Sequence, residues 1–147
     1  MTIYRERLWA PAWLYLATAL VIPASLLVFL PINLGVGVAV ALVLYAGCVT
    51  LLLLASPSVI VTEREFLAGG ARIPLSLIGT VQSYREPEAT LERGQKLDAR
   101  AWLLIRGWIG PVVKVEILDP KDPTPYWLVS TRRPVQLCAA LQPAGER

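Results

Sequence analysis

Residues 8–62 read LWAPAWLYLATALVIPASLLVFLPINLGVGVAVALVLYAGCVTLLLLASPSVIVT, and no Asp, Glu, Lys or Arg occurs among them. The hydrocarbon core of a bilayer is about 30 Å thick and takes about 20 apolar residues of helix to cross. A run of this length therefore holds two spans. Pro31-Ile32-Asn33 is the one turn signal inside it, dividing the run into Leu8–Leu30 and Leu34–Ala55. Cleavage of the first span as a signal peptide, after small residues such as Ala24 and Ser25, would leave a mature chain that still begins with a hydrophobic span. The first run is also longer than an ordinary signal core, which favours a retained helix.

The flanks set an expected orientation. Arg5 and Arg7 precede the first span, Arg64 follows the second, and the turn between them is uncharged. The positive-inside rule puts both ends in the cytoplasm and the turn outside. Trp9, Trp13 and Tyr15 lie where amphipathic rings anchor a helix at headgroup depth. Pro11 suits a first helical turn, whereas Pro23 is mid-span and predicts a kink. Helices associate in lipid through small residues. Candidates for that contact are Ala10, Ala17 and Ala24 at heptad spacing, Gly35 with Ala39, and Gly37 with Ala41. With so short a turn the pair is expected to form an antiparallel hairpin, unless one small-residue face serves a partner's helix. Ionisable groups inside spans normally mark ion pathways and proton relays. Neither span contains one, which argues against transport by this chain alone. Gly35-Val-Gly37 lacks both the third glycine and the preceding strand of a dinucleotide-binding turn.

The remainder has a different composition. All but three of the 14 basic and 11 acidic residues lie at or beyond Glu63, so the hydrophobic fraction of 55% averages two unlike halves. About 90 residues are left, enough for one small domain. The basic residues there, from Arg64 to Arg106, are spread out and interleaved with acids, which is not the clustered face of a nucleic-acid binder. Cys48 and Cys138 sit in unlike segments, and the chain has no His, so no metal-ligand spacing exists.

Short apolar runs punctuated by Gly and Pro predict strands over 58–62, 66–68, 71–73, 75–82, 101–106, 112–118 and 126–130. Gly69-Gly70 is a two-residue hairpin signal. Val113, Val115 and Ile117 alternate with Lys114 and Glu116, predicting one buried and one wet face. Residues 84–100 are polar and read as a loop with at most a helical turn. Pro134 is placed to open a closing helix over 135–141, with Leu137, Cys138 and Leu141 on one stripe.

Tyr4-Arg-Glu-Arg-Leu-Trp9, the paired spans, Ile73-Pro-Leu-Ser76 and Tyr126-Trp-Leu-Val-Ser-Thr-Arg-Arg-Pro134 together resemble an actinobacterial membrane-protein family of the domain-of-unknown-function 3093 type. The resemblance implies two spans with a cytoplasmic domain. It carries no catalytic or ligand residues, because the family has no assigned activity. The strand–Ser-Thr-Arg-Arg-Pro–helix ending is also similar to the close of bacterial PH-like domains, which often follow transmembrane hairpins.

The expected fold class is an α+β membrane protein. A transmembrane hairpin occupies residues 1–57, with spans at about 8–30 and 34–55. A small antiparallel β PH-like domain, closed by a C-terminal helix, occupies residues 58–147. Catalysis is not expected: there is no His, Cys48 is in a span, Cys138 lies on an apolar stripe, and Glu86, Glu88 and Glu92 fall in a solvated loop. Asp119 and Asp122 lack enough companions to hold a metal. No cofactor is implied.

Two binding readings remain. One is a membrane-anchored interaction or assembly module, an accessory subunit with a protein partner or a second copy. Trp108, Tyr126 and Trp127 are candidate contacts for it. Tyr126 and Trp127 are strand neighbours and point to opposite faces, so the outward one either meets a partner or is covered by a loop. The other is lipid-headgroup recognition through Arg132 and Arg133, whose alternative is simple solvation. The expected location is the cell membrane, with both termini cytoplasmic and no nucleic-acid partner.

Overall fold

The computed structural model describes residues 1–142. Residues 143–147, the end of the expected second domain, lie outside the described residues. Contacts divide the chain into two units: Trp9–Ser56, and Met1–Leu8 together with the residues from Pro57 onward.

The first unit is helical, with α1 at Ala12–Ala19, α2 at Val21–Phe29 and α3 at Leu34–Leu54. Ala12–Phe29 spans 18 residues at mean hydropathy 2.0 and Leu34–Leu54 spans 21 residues at 2.5, so each is long and apolar enough to cross a membrane. The break between α1 and α2 falls at Leu20, whose N–H bonds the Ala17 carbonyl three residues back at 3.2 Å. Pro23 accounts for it: the ring has no N–H and crowds the carbonyl four residues earlier. At the turn, Asn33 caps α3, its Oδ1 accepting from the N–H groups of Gly35 at 2.8 Å and Val36 at 3.2 Å.

Of the small residues expected between the helices, Gly37 and Ala41 are buried, one turn apart on α3, and Ala10 is buried just before α1. A Cβ on Gly37 would lie 3.0 Å from Cβ of Phe29, so α2 and α3 approach closely there. Ala17, Ala24, Gly35 and Ala39 are exposed instead. Heptad spacing presumes one continuous helix, and the break at Leu20 changes the phase, leaving Ser25 as the buried residue of α2. Gly35 and Ala39 lie two residues from Gly37 and Ala41, about 200° around the helix.

Among the described residues the second unit has eight strands in two four-stranded sheets. The first sheet runs in the order β1 (Thr2–Arg7), β2 (Ser58–Thr62), β3 (Glu65–Ala68), β4 (Ala71–Pro74). A 3₁₀ turn at Leu75–Leu77 leads to β5 (Ile78–Tyr84), and α4 (Glu88–Arg93) precedes β6 (Trp102–Leu104), β7 (Val112–Ile117) and β8 (Tyr126–Ser130). The second sheet has the order β5-β7-β8-β6. Helix α5 (Pro134–Leu141) closes the fold.

Two features differ from expectation. Residues 2–7 are a strand of the first sheet rather than a flank of the hairpin, because Tyr4, Glu6 and Leu8 alternate inward and all three are buried. Arg7 pairs with Ser58, and Leu8 N–H donates to the Pro57 carbonyl at 2.9 Å. The chain thus leaves this unit from one strand and re-enters it on the adjacent one. Second, the sheets are not wholly antiparallel: β6 lies parallel to β8, Trp102 opposite Trp127. On β8, cover of the outward residue by a neighbouring segment is the alternative observed. Every residue of Tyr126–Ser130 is buried, because the segment carrying α4 packs Ala89, Leu97 and Ala101 around Val112, Tyr126 and Leu128.

The main core lies between the sheets. Val59, Val61 and Phe66 from one meet Val113, Val115 and Val129 from the other, with Leu137 of α5 at the open side. Gly69, at φ 63°, makes the turn between β3 and β4 that Gly69-Gly70 predicts.

Candidate functional site

The two sequence motifs at opposite ends of the chain meet in one buried hydrogen-bond cluster. Glu6 on β1 and Thr131, just after β8, are both buried. Glu6 Oε2 accepts from the Tyr4 hydroxyl at 2.6 Å and from the Thr131 hydroxyl at 2.5 Å, while Oε1 accepts from the Arg132 N–H at 3.0 Å. Thr131 Oγ1 in turn accepts from the Arg133 N–H at 3.0 Å. The cluster clasps β1 to the linker between β8 and α5. Burial and donation to Glu6 push Tyr4 up to about 12, with Thr131 and the Arg133 charge acting the other way.

Beside the clasp, β1 and α5 border an open groove of about 460 Å³, lined by Ile3, Tyr4, Arg5, Arg133, Gln136 and Ala140, among others. Arg5 points outward on β1 because the inward positions are taken by Tyr4 and Glu6. Arg133 sits at the entry to α5, and Gln136 lies in its first turn. Among the described residues neither guanidinium makes an ion pair, and no acidic side chain lines the groove. The groove is thus basic at its rim and apolar at Ile3 and Ala140.

The second sheet carries a covered ion pair. Lys114 Nζ bonds Glu92 at 3.0 Å, with Lys96 at 3.5 Å from the other carboxylate oxygen, and lies 4.3 Å from the centre of the Tyr126 ring. Burial depresses Lys114, but the hydrogen bond and charge of Glu92 outweigh it and hold the ammonium above its usual range. The Tyr126 hydroxyl accepts from the Asp98 N–H at 2.8 Å, tying down the segment after α4. Glu92, expected to be solvated, is therefore a buried partner of Lys114, while Glu86 and Glu88 are exposed.

The candidate contact residues separate. Tyr126 and Trp127 are 8% and 5% exposed, so neither offers a surface: the α4 segment covers one, and Trp127 packs on Phe66 at 5.6 Å between ring centres. Trp108 is half-buried against the core, and its buried Nε1 has no hydrogen-bond partner among the described residues. Arg132 and Arg133 are both exposed, and only Arg133 lines the groove. Its companion Arg5, with Gln136, is not singled out by sequence. Neither is Leu103, which is 40% exposed on the edge strand β6 beside the equally exposed Trp102, one of the aromatic rings of the sequence. Burial pushes the Cys138 thiol up, the opposite of an activated nucleophile.

Comparison with known proteins returned no significant match among curated proteins and none among solved structures. A family model described as "Protein of unknown function (DUF3093)" matches residues 3–141, from β1 through both apolar helices to the last residue of α5. Both halves of the Tyr4–Glu6–Thr131 clasp fall within that match, and the chain belongs to the DUF3093 family.

Proposed function

We propose that this protein is a membrane-anchored, non-enzymatic PH-like module on the cytoplasmic face of the cell membrane, acting as an accessory interaction or assembly subunit. The observation that carries the reading is the pairing of β1 with β2. Because Arg7 and Ser58 are partners, the two apolar helices form an excursion between adjacent strands of one sheet. An excursion that starts and ends at neighbouring residues must cross a bilayer an even number of times, which suits two spans. The basic flanks Arg5, Arg7 and Arg64 favour the cytoplasmic side for the β unit. Two sheets closed by a C-terminal helix support the PH-like reading, and a fold of that kind licenses binding without specifying a ligand.

The assembly reading draws on the edge strand β6, where half-exposed Trp102 and Leu103 stand on a side that no further strand of the described residues pairs. A photoreactive residue placed at Leu103 in the full chain, in cells, is expected to give one discrete protein adduct. Adducts to lipid alone, or none, would count against a protein partner at this edge. Orientation is tested with Ile32→Cys in a background lacking Cys48 and Cys138. An impermeant maleimide is expected to label intact cells, and protection until lysis would reverse the topology. A second reading, recognition of a lipid headgroup, is favoured by the basic groove between β1 and α5.

A further inference from the structure

We propose that the groove between β1 and α5 is a site for one anionic phospholipid, its phosphate held between Arg5 and Arg133. This inference rests on the membrane reading above and gives its headgroup alternative a location and a ligand class. Arginine's planar fork matches phosphate oxygens and binds them in paired hydrogen bonds. Here two guanidinium groups from opposite ends of the sequence line a single groove and, among the described residues, no acid lines it and neither makes an ion pair. Gln136 adds a neutral donor and acceptor on the same wall. The site is built rather than incidental, because the clasp of Tyr4, Glu6 and Thr131 fixes β1 against the start of α5. It also consumes the Glu6 oxygens, which accept three hydrogen bonds and face inward.

The apolar part of the groove selects among anions. Ile3 is 48% exposed there, and Ala140 continues the apolar wall along α5. A free phosphate would leave these surfaces wet, whereas the glycerol and first acyl carbons of a phospholipid would cover them. Arg5 also stands only seven positions before Ala12, where the first apolar helix begins, so bilayer lipid is the anion in largest local supply.

The test uses the full chain purified in neutral detergent, with bound lipid counted by native mass spectrometry. Dioctanoyl phosphatidylglycerol is titrated against dioctanoyl phosphatidylcholine, inorganic phosphate and an octaglutamate peptide. One phosphatidylglycerol per chain is expected to bind in preference to the zwitterionic lipid. Arg5→Gln with Arg133→Gln should weaken it by about 10- to 30-fold, whereas Arg64→Gln with Arg72→Gln, equal in charge, should leave it unchanged. Ala139→Glu, which sets an acid on an exposed position of the same wall, should also abolish the preference. Equal binding by the wild type and the Arg5/Arg133 variant would overturn the proposal. So would displacement by inorganic phosphate at equal concentration, or tighter binding of the peptide. Alkaline carbonate extraction separates the two levels. Release of the chain from membranes would sink the membrane reading, while retention without lipid preference would sink the groove alone.

Discussion

Two side chains on β1 do work that their neighbours conceal. Tyr4 and Glu6 alternate with exposed Ile3, Arg5 and Arg7, so a segment with three charges in a row still contributes to the core. Glu6→Ala would remove the shared acceptor of the Tyr4 and Thr131 hydroxyls and the Arg132 N–H, leaving the two hydroxyls their mutual 3.2 Å contact, and should destabilise the β unit by about 3 kcal/mol. Tyr4→Phe removes only one donor and should cost about 1 kcal/mol. Thermal unfolding of the full chain in detergent checks the order, and a larger loss for Tyr4→Phe would contradict it. The clasp also carries a pH signature. Tyr4 is raised from 10.0 to about 12, so its protonated form is favoured by folding. That contribution is complete below pH 10.0 and is lost as pH rises toward about 12. Tyr4→Phe should therefore show a shallower alkaline loss of stability than the wild type. On the second sheet, Lys114→Met would leave the Glu92 carboxylate buried with only Lys96, whose side chain is 61% exposed. Removing one member of such a pair should cost about 3 kcal/mol, and Glu92→Leu in the same chain should restore most of it. Failure of the double variant to recover would mean that Glu92 has a role beyond its pairing.

At the scale of elements, the interface of α2 with α3 turns on one glycine. Gly37 has Phe29 Cβ at 3.0 Å from an added Cβ, and Gly47 on the same helix has nothing within 4 Å. Gly37→Leu should separate the helices and lower the thermal midpoint of the helical unit, while Gly47→Leu should not. Equal effects would show that the glycine row is not the contact. Composition alone marks both helices and the Pro31–Asn33 turn, because an uncharged run and its single break are local signals. The same holds for β2 and β8, whose sequence-read limits of 58–62 and 126–130 coincide with the observed strands. What local pattern does not convey is partnership. β1 is paired with a strand beyond both apolar helices, and its outward arginines mask the alternation. The polar stretch before β6 hides α4 in the same way, since Ala89 and Glu92 are its buried positions and its exposed ones dominate the composition. Which small residues meet depends on the phase change at Leu20, a structural event that heptad counting does not include. The basic groove is illegible for a related reason: Arg5 and Arg133 are adjacent only once β1 lies beside α5.

For the whole molecule, the β1–β2 pairing says that the two units are joined in an unusual order: the helical one is inserted into the other. A division at residue 57 would cut through a sheet. A chain of residues 58–147 lacks β1, and with it Leu8, which is fully buried, and the buried Tyr4 and Glu6. Burial of a leucine alone is worth about 2 kcal/mol, and Thr131 would lose its carboxylate partner. The complementary chain keeps residues 1–8 and 57–147 and replaces 9–56 with Asn-Gly. Leu8 N–H already donates to the Pro57 carbonyl at 2.9 Å, so the two residues stand opposite each other where a short turn can join β1 to β2. This second chain should be soluble without detergent and unfold cooperatively, with stability exceeding that of 58–147 by more than about 3 kcal/mol. Urea unfolding followed by Trp fluorescence compares them, since both keep Trp127, which is buried in the full chain. Equal stability would show that β1 is dispensable, and the helices would then be an N-terminal anchor rather than an insertion.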